Sequence, residues 1–219
     1  MSNHDKELLL RRLEREQLAR QETEDILDRV TLKLYHANHS LSQMAVTDRL
    51  TQLYNRHKLD EVLIQQQHLA ERYKNNFGII IIDIDFFKKI NDAHGHQTGD
   101  VILKELSNIL KNSSRKSDVV GRWGGEEFMI IIPNVSEQPL FIVAEKLQRD
   151  IKKHKFPQVD ILTVSMGVSI SHPGESFENI ISRADEALYQ AKENGRNCSY
   201  ALLHNKSFNL IGAKNAPSS

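Results

Sequence analysis

One cysteine in 219 residues, Cys198, is too few for an internal disulfide or a thiolate metal site. Proline is also scarce: there are five, the first is Pro133, and the first of ten glycines is Gly78. The stretch before Gly78 therefore holds no helix breaker and is expected to be mostly helical. An excess of one charge is missing too. Lys+Arg and Asp+Glu each number 29, so the chain has neither the basic footprint of a nucleic-acid binder nor an acidic solvating tail. No apolar run approaches the roughly 20 residues of a membrane span, which argues against membrane insertion. The opening residues, MSNHDKELLLRRLEREQ, are too charged for a secretory signal, so the chain reads as cytoplasmic. With hydrophobic residues at 39% and charged ones at 26%, the composition is that of a folded chain, long enough for one domain and an appendage.

Residues 1–46 carry 7 basic and 8 acidic side chains. Leu9, Leu13, Leu27, Val30, Leu34, Ala37, Leu41 and Met44 recur there at steps of three and four, the a/d seam of a coiled coil. Glu16, Arg20 and Thr23 interrupt the stripe, so its better half runs from about Ile26 to Met44. A helix with a narrow apolar stripe and no core of its own needs a partner. Homodimerisation through residues 1–46 is expected; packing against its own domain is the alternative. His36 and His39 are spaced for a metal in a helical dimer, although solvent-facing histidines explain them as well.

From residue 47 the pattern becomes that of a mixed α/β (α+β) domain reaching residue 203. TDRLTQLYNR (47–56) reads as a turn into a helix ending near Asn75. FGIIIIDID (77–85) reads as a strand buried on both faces. Helical spacing over 98–111, 136–153 and 176–194 alternates with strands at 118–122, 126–132, 160–170 and 199–203. This order predicts a ferredoxin-like βαββαβ core, a mostly antiparallel central sheet covered by helices. Residues 204–219 lack periodicity and are expected to form a loose tail.

Two acidic groups stand out. Asp83 and Asp85 close the isoleucine run and, at a two-residue period, point to one side of the strand. A buried carboxylate needs a compensating cation or hydrogen bonds, and Mg²⁺ would meet that need while leaving coordination positions for phosphates. The alternatives are a helix cap, or pairing with Lys88 or Lys89. In RWGGEEF (122–128), Gly124 and Gly125 fit a tight hairpin, and glycine there also lets backbone approach a phosphate. Glu126 and Glu127 at the same turn would supply metal ligands or a general base. A hairpin beside the strand ending at Asp83 would bring three or four carboxylates to one spot.

Four blocks in order, DRLTQLYNR (48–56), DIDFFKKINDAHGHQTGD (83–100), RWGGEEF (122–128) and RADEALYQAKENGRN (183–197), carry a specific resemblance over residues 47 to about 200. The chain resembles the GGDEF-domain diguanylate cyclases, which condense two GTP into cyclic di-GMP with release of pyrophosphate. The resemblance implies a metal held by Asp83, the Ile84 carbonyl and Glu126, with Glu127 as a further ligand. That metal would be Mg²⁺, with Mn²⁺ as a substitute. It also implies Glu126 as proton acceptor for the ribose 3′-hydroxyl and Lys88 as a charge stabiliser. Phe87 would contribute backbone N–H to the phosphate loop, and Gly124 and Gly125 match substrate-binding positions. Asn91, His96 and Asp100 match substrate-binding positions, and Lys192 with Arg196 match the pair that holds the terminal phosphates. Asp100 agrees with GTP over ATP, because a carboxylate accepts from both guanine N1–H and N2–H₂. Read alone, Asp100 serves equally as a helix N-cap, and Lys192 with Arg196 as a solvated helix end.

The resemblance further implies a homodimer, because each site holds one GTP. It places a feedback site for cyclic di-GMP at Arg115 and Asp118 of RKSD. A surface turn with an ion pair is the alternative there, and Lys146 stands where some relatives have a second arginine. Two rival functions remain: a catalytically silent nucleotide receptor, and a cyclase making a mononucleotide ring.

Overall fold

The computed structural model describes residues 15–17, 20–21, 23–35, 46–203 and 207–212. The chain divides into two units, Met1–Ala45 and Val46–Ser219. In the first unit the described residues are helical, and Ile26, Leu27, Val30 and Leu34 of the apolar stripe are between 47% and 65% exposed. Leu9, Leu13, Ala37, Leu41 and Met44, and the pair His36 and His39, lie outside the described residues.

In the second unit the order is α1 (Arg56–Tyr73), β1 (Gly78–Ile84), α2 (Phe87–His94), α3 (His96–Ser113), β2 (Val119–Gly124), β3 (Glu127–Ile132), α4 (Glu137–Lys153), β4 (Val164–Ile170), α5 (Phe177–Glu193), β5 (Ser199–Leu202) and β6 (Phe208–Ile211). One sheet runs in the order β2-β3-β1-β4-β5-β6. Its central strand, β1, is antiparallel to both β3 and β4, which gives the ferredoxin-like βαββαβ core expected from the sequence. Helix α5 then carries the chain to β5, parallel to β4.

The isoleucine run explains the layering, because alternate side chains of a strand point to opposite faces. Ile80, Ile82 and Ile84 join Ile102, Leu106 and Leu110 of α3 and Leu140 and Leu147 of α4 in one core. Ile79 and Ile81 join Leu59 and Leu63 of α1 and Ile180 and Leu188 of α5 in the other. Every residue of β1 is buried, and each isoleucine so placed stabilises the fold by roughly 1.5–3 kcal/mol over exposure.

Polar contacts in the 47–55 segment lock it onto the sheet. The Asp48 carboxylate accepts from the Thr51 N–H at 2.8 Å and its hydroxyl at 2.7 Å, closing a turn. Asn55 caps α1 by accepting the Lys58 N–H at 3.0 Å. Arg122 donates to the Tyr54 carbonyl at 2.8 Å through its backbone. Gly121 permits this approach, because a Cβ there would meet the Tyr54 oxygen at 2.7 Å. The Val46 carbonyl accepts from Asn55 N–H at 3.0 Å, tying residue 46 to this domain.

Two elements differ from expectation. The chain between β1 and β2 forms two helices meeting at Gly95, where the sequence predicts one beginning at residue 98. The expected loose tail contributes β6, whose Phe208–Ile211 pairs antiparallel with Ser199–Leu202 of β5. Residues 204–206 and 213–219 lie outside the described residues.

Candidate active site

Register brings the two acidic motifs together. Asp83 is the Cα partner of Glu127 on β3 and of Ser165 on β4. The Lys192 ammonium, in the last turn of α5, lies 2.8 Å from the Asp83 carboxylate. Burial pushes the Asp83 pKa above the usual carboxylate range; Lys192 opposes this, while the charges of Glu126 and Asp85 add to it. Glu127 is raised by burial and then by Asp83, with Lys192 again opposing and Asp185 and Glu126 adding. Lys192 is thus an ion-pair partner rather than a free helix end.

Asp85 is compensated by hydrogen bonds, one of the outcomes the sequence allows. It neither caps α2 nor pairs with Lys88 or Lys89. Its carboxylate, 4% exposed, accepts from Thr163 Oγ1 at 2.7 Å, Ser165 Oγ at 2.7 Å and the Asn197 N–H at 3.0 Å. It fastens the turn after α5 to the end of β1.

The hairpin between β2 and β3 turns at Gly125, whose φ of +48° suits glycine. A register shift between Arg122 and Gly124 re-aims the strand end. Arg122 holds the turn by donating Nε and Nη2 to the Gly125 carbonyl at 2.9 and 2.7 Å, and its Nη1 lies 3.2 Å from Asp48. A Cβ on either Gly124 or Gly125 would meet nothing within 4 Å, so the hairpin has open space beside it.

That space continues into a cavity of about 630 Å³. It gathers six residues singled out in the sequence, Phe87, Lys88, Asn91, His96, Asp100 and Glu126, together with Gly125. Asp92, Leu103 and Arg122 line it too, and the sequence reading missed them. Of these, Arg122 had a signal, because it opens the RWGGEEF block. Asp100 is not an N-cap: α3 begins at His96 with Gly95 at the cap position, which leaves Asp100 free to line the cavity. Among the described residues, Asn91 Oδ1 is a buried acceptor without a hydrogen-bond partner. It packs against Gly99, where a Cβ would meet it at 2.0 Å.

Ile84 is buried on the core side, so its main chain is the only part able to serve the site. Phe87 opens α2 with its ring buried, which likewise leaves its backbone. The Arg196 guanidinium stacks over the Phe86 ring, 4.6 Å from its centroid. Contrary to the convergence expected from the sequence, no group of three or more His, Cys, Asp and Glu side chains arranged to hold a metal occurs among the described residues. Asp83 and Glu127 stand as a cross-strand pair with Lys192 beside them. Such a pair still suits Mg²⁺, which uses one or two carboxylates and fills its shell with water, main-chain and phosphate oxygens.

Residues 45–198 match the family described as diguanylate cyclase, GGDEF domain. The chain belongs to the GGDEF family. It is 36% identical over 168 residues to diguanylate cyclase A of Treponema denticola, covering 73% of this chain and 45% of that protein. It is 38% identical over 166 residues to the response regulator PleD of Caulobacter vibrioides, covering 73% of this chain and 36% of PleD. The GGDEF chain thus spans less than half the length of these curated relatives. The coiled coil and GGDEF domain of DgcB from Caulobacter crescentus, solved with c-di-GMP, superposes with a TM-score of 0.67 at 30% identity, covering 80% of this chain and 96% of that one. The active GGEEF domain of a Vibrio cholerae diguanylate cyclase gives 0.64 at 37% identity, covering 67% and 95%.

On this GGDEF domain a second cavity, of about 410 Å³, lies beside the RKSD turn. Arg115, Asp118, Lys111 and Lys116 line it with Gln52 and Tyr54 of the entry segment. Asp118 accepts the Arg115 backbone N–H at 2.8 Å, so it closes the turn through the main chain rather than through an ion pair. The Lys146 ammonium donates to the Ser113 carbonyl at 3.2 Å.

Asp185 of α5 also escaped the sequence reading. Burial raises its pKa, while Arg56 and Lys192 oppose the rise.

Proposed function

We propose that the chain is a diguanylate cyclase that condenses two GTP into cyclic di-GMP and two pyrophosphates, working as a homodimer. The observation that carries this reading is the cavity itself. Its lining of Asp100, Asn91, Lys88 and Glu126 with the glycine hairpin supports a nucleotide site, and the Asp83–Glu127 register pair supports a metal on the same domain.

In this reading the Asp100 carboxylate accepts from the guanine N1–H and N2–H₂, and Asn91 meets the base or ribose beside it. His96 lines the same wall. The Phe87 N–H, Lys88, Lys192 and Arg196 neutralise the phosphates as charge shifts toward the leaving pyrophosphate. Asp83, the Ile84 carbonyl and Glu126, with Glu127 as a further ligand, would hold Mg²⁺ or Mn²⁺. Such an ion neutralises the triphosphate and lowers the pKa of the 3′-hydroxyl. Glu126, at the hairpin, takes the hydroxyl proton. The 3′-oxygen then attacks the α-phosphorus of the partner's GTP, the bond to the β-phosphate oxygen breaks, and pyrophosphate leaves.

Two such steps close the ring, so two domains must face each other with antiparallel substrates. The exposed apolar stripe of the N-terminal helix supports a role in keeping two copies together. The cavity at Arg115 and Asp118 supports product feedback, since Arg offers a planar fork and Asp a guanine acceptor. The c-di-GMP-bound DgcB structure agrees with a product ligand for this fold.

Incubating the purified chain with GTP and Mg²⁺ and resolving the products by chromatography tests the proposal. Cyclic di-GMP is expected. No turnover by a dimer would favour a silent receptor, and cyclic GMP would favour a mononucleotide cyclase.

A further inference from the structure

Three non-glycine residues, one just after β1 and two in the turn after α5, have left-handed backbones: Phe86 (φ +58°), Arg196 (φ +62°) and Asn197 (φ +50°). Such conformations are costly for residues with a Cβ, most of all for a bulky aromatic, and they persist only where the surroundings enforce them. Two contacts do so here. The Asn197 N–H is fixed to the buried Asp85 at 3.0 Å, and Asn197 Oδ1 accepts from Gln148 Nε2 at 3.3 Å. The turn that carries Arg196 is therefore tied to β1 on one side and to α4 on the other.

Phe86 does not serve the core, since it is 51% exposed, nor does its side chain cap α2. Its ring instead faces two cations, the Arg196 guanidinium and the Lys89 ammonium, each 4.6 Å from the centroid. We propose that Phe86 is a positioning residue: its ring presets the Arg196 guanidinium for the polyphosphate of the nucleotide. This rests on the reading above, in which Arg196 meets the substrate phosphates.

The chemistry supports the assignment. An arginine that is free in solvent loses rotamer freedom when it grips a ligand, whereas one already held over a ring has lost it beforehand. Stacking uses the face of the guanidinium and leaves its in-plane N–H donors available to phosphate oxygens. The ring can thus keep its hold while the fork binds. Lys89 sharpens the effect, because two cations sharing one ring repel each other and an arriving polyanion relieves that repulsion.

The test uses the full chain with Mg²⁺ and 3′-deoxy-GTP, which lacks the attacking hydroxyl, and reads affinity by calorimetry. Phe86→Leu is expected to weaken binding about three- to fivefold, the worth of an exposed cation–π contact. Phe86→Trp should bind within about twofold of wild type, because indole offers the best face for a cation. In an Arg196→Ala background Phe86→Leu should have no further effect. Wild-type affinity in Phe86→Leu, or the same loss with and without Arg196, would overturn the inference. Failure of the unmodified chain to bind 3′-deoxy-GTP would instead overturn the assignment of a GTP site, and this inference with it. Thermal melts of each variant separate loss of fold from loss of grip.

Discussion

The ammonium of Lys192 and the carboxylate of Asp83 form a 2.8 Å ion pair at the end of a strand buried along its whole length. The chain thus supplies its own counter-charge to an anion that burial would otherwise penalise. Glu127, opposite Asp83 in the register, has no such close partner among the described residues and receives the longer-range benefit of Lys192.

Glu127 is therefore a test of the electrostatics. Its folded pKa is raised by burial and by Asp83, so folding favours its protonated form. The stability linked to it is full below the unfolded value and lost as pH rises through the folded one. Glu127→Gln should raise the melting temperature of the metal-free protein at pH 7 by about 1–2 °C and leave it unchanged near pH 3.5, after allowance for solvent screening. Differential scanning calorimetry at both pH values checks this, and an equal shift at both would contradict it.

Glu126→Gln keeps the size of the side chain and removes its charge. Turnover should fall by at least about 100-fold, the scale of a lost general base, with melting within about 2 °C of wild type. Product formation from GTP measures the first, and calorimetry the second.

Arg122 joins the entry segment to the hairpin, and Arg122→Ala should cost about 1–2 kcal/mol in a denaturant titration. Burial raises the Asp48 pKa, but the Thr51 hydrogen bonds and the Arg122 charge outweigh it, and the net shift is downward. Stability from this group is present above the unfolded value and lost as pH falls through the folded one. The cost of Arg122→Ala should accordingly shrink in acid. Trp123, stacked 4.3 Å from the Arg56 guanidinium, lies beside the hairpin and offers a fluorescence readout of its loosening.

Arg115→Ala should leave the initial rate intact and relieve inhibition by added cyclic di-GMP, with less product carried through purification. Unchanged inhibition would reduce RKSD to the turn that its Asp118 hydrogen bond closes.

Removing residues 1–45 leaves the compact unit that begins at Val46. Sedimentation should find it monomeric at low micromolar concentration, and its specific activity should climb with concentration where that of the full chain does not.

Much of this architecture was legible in the sequence because it follows from periodicity. Four consecutive isoleucines closed by acids leave little choice but a two-faced strand, and paired glycines between apolar runs mark the hairpin. Other features were hidden for physical reasons. Helix α2 is only eight residues long and follows a left-handed Phe86, so no apolar repeat announces it. Strand β6 is short and half exposed, held by pairing with β5 rather than by its own pattern. The partners of Asp85 lie from 78 to 112 residues away, beyond any local signal. By local pattern Asp100 fits a helix cap, whereas the helix starts at His96 and takes Asp100 into its second turn.

Strand β1 is buried on both faces and paired on both edges, and this divides the candidate site mechanically. Asp83 cannot shift without dragging two hydrophobic layers with it, so the amides of Ile80 to Ile82 should be among the last to exchange with deuterium. Adjustment to one nucleotide or another must come from the Gly125 turn and the α5–β5 turn, which bear on it from outside.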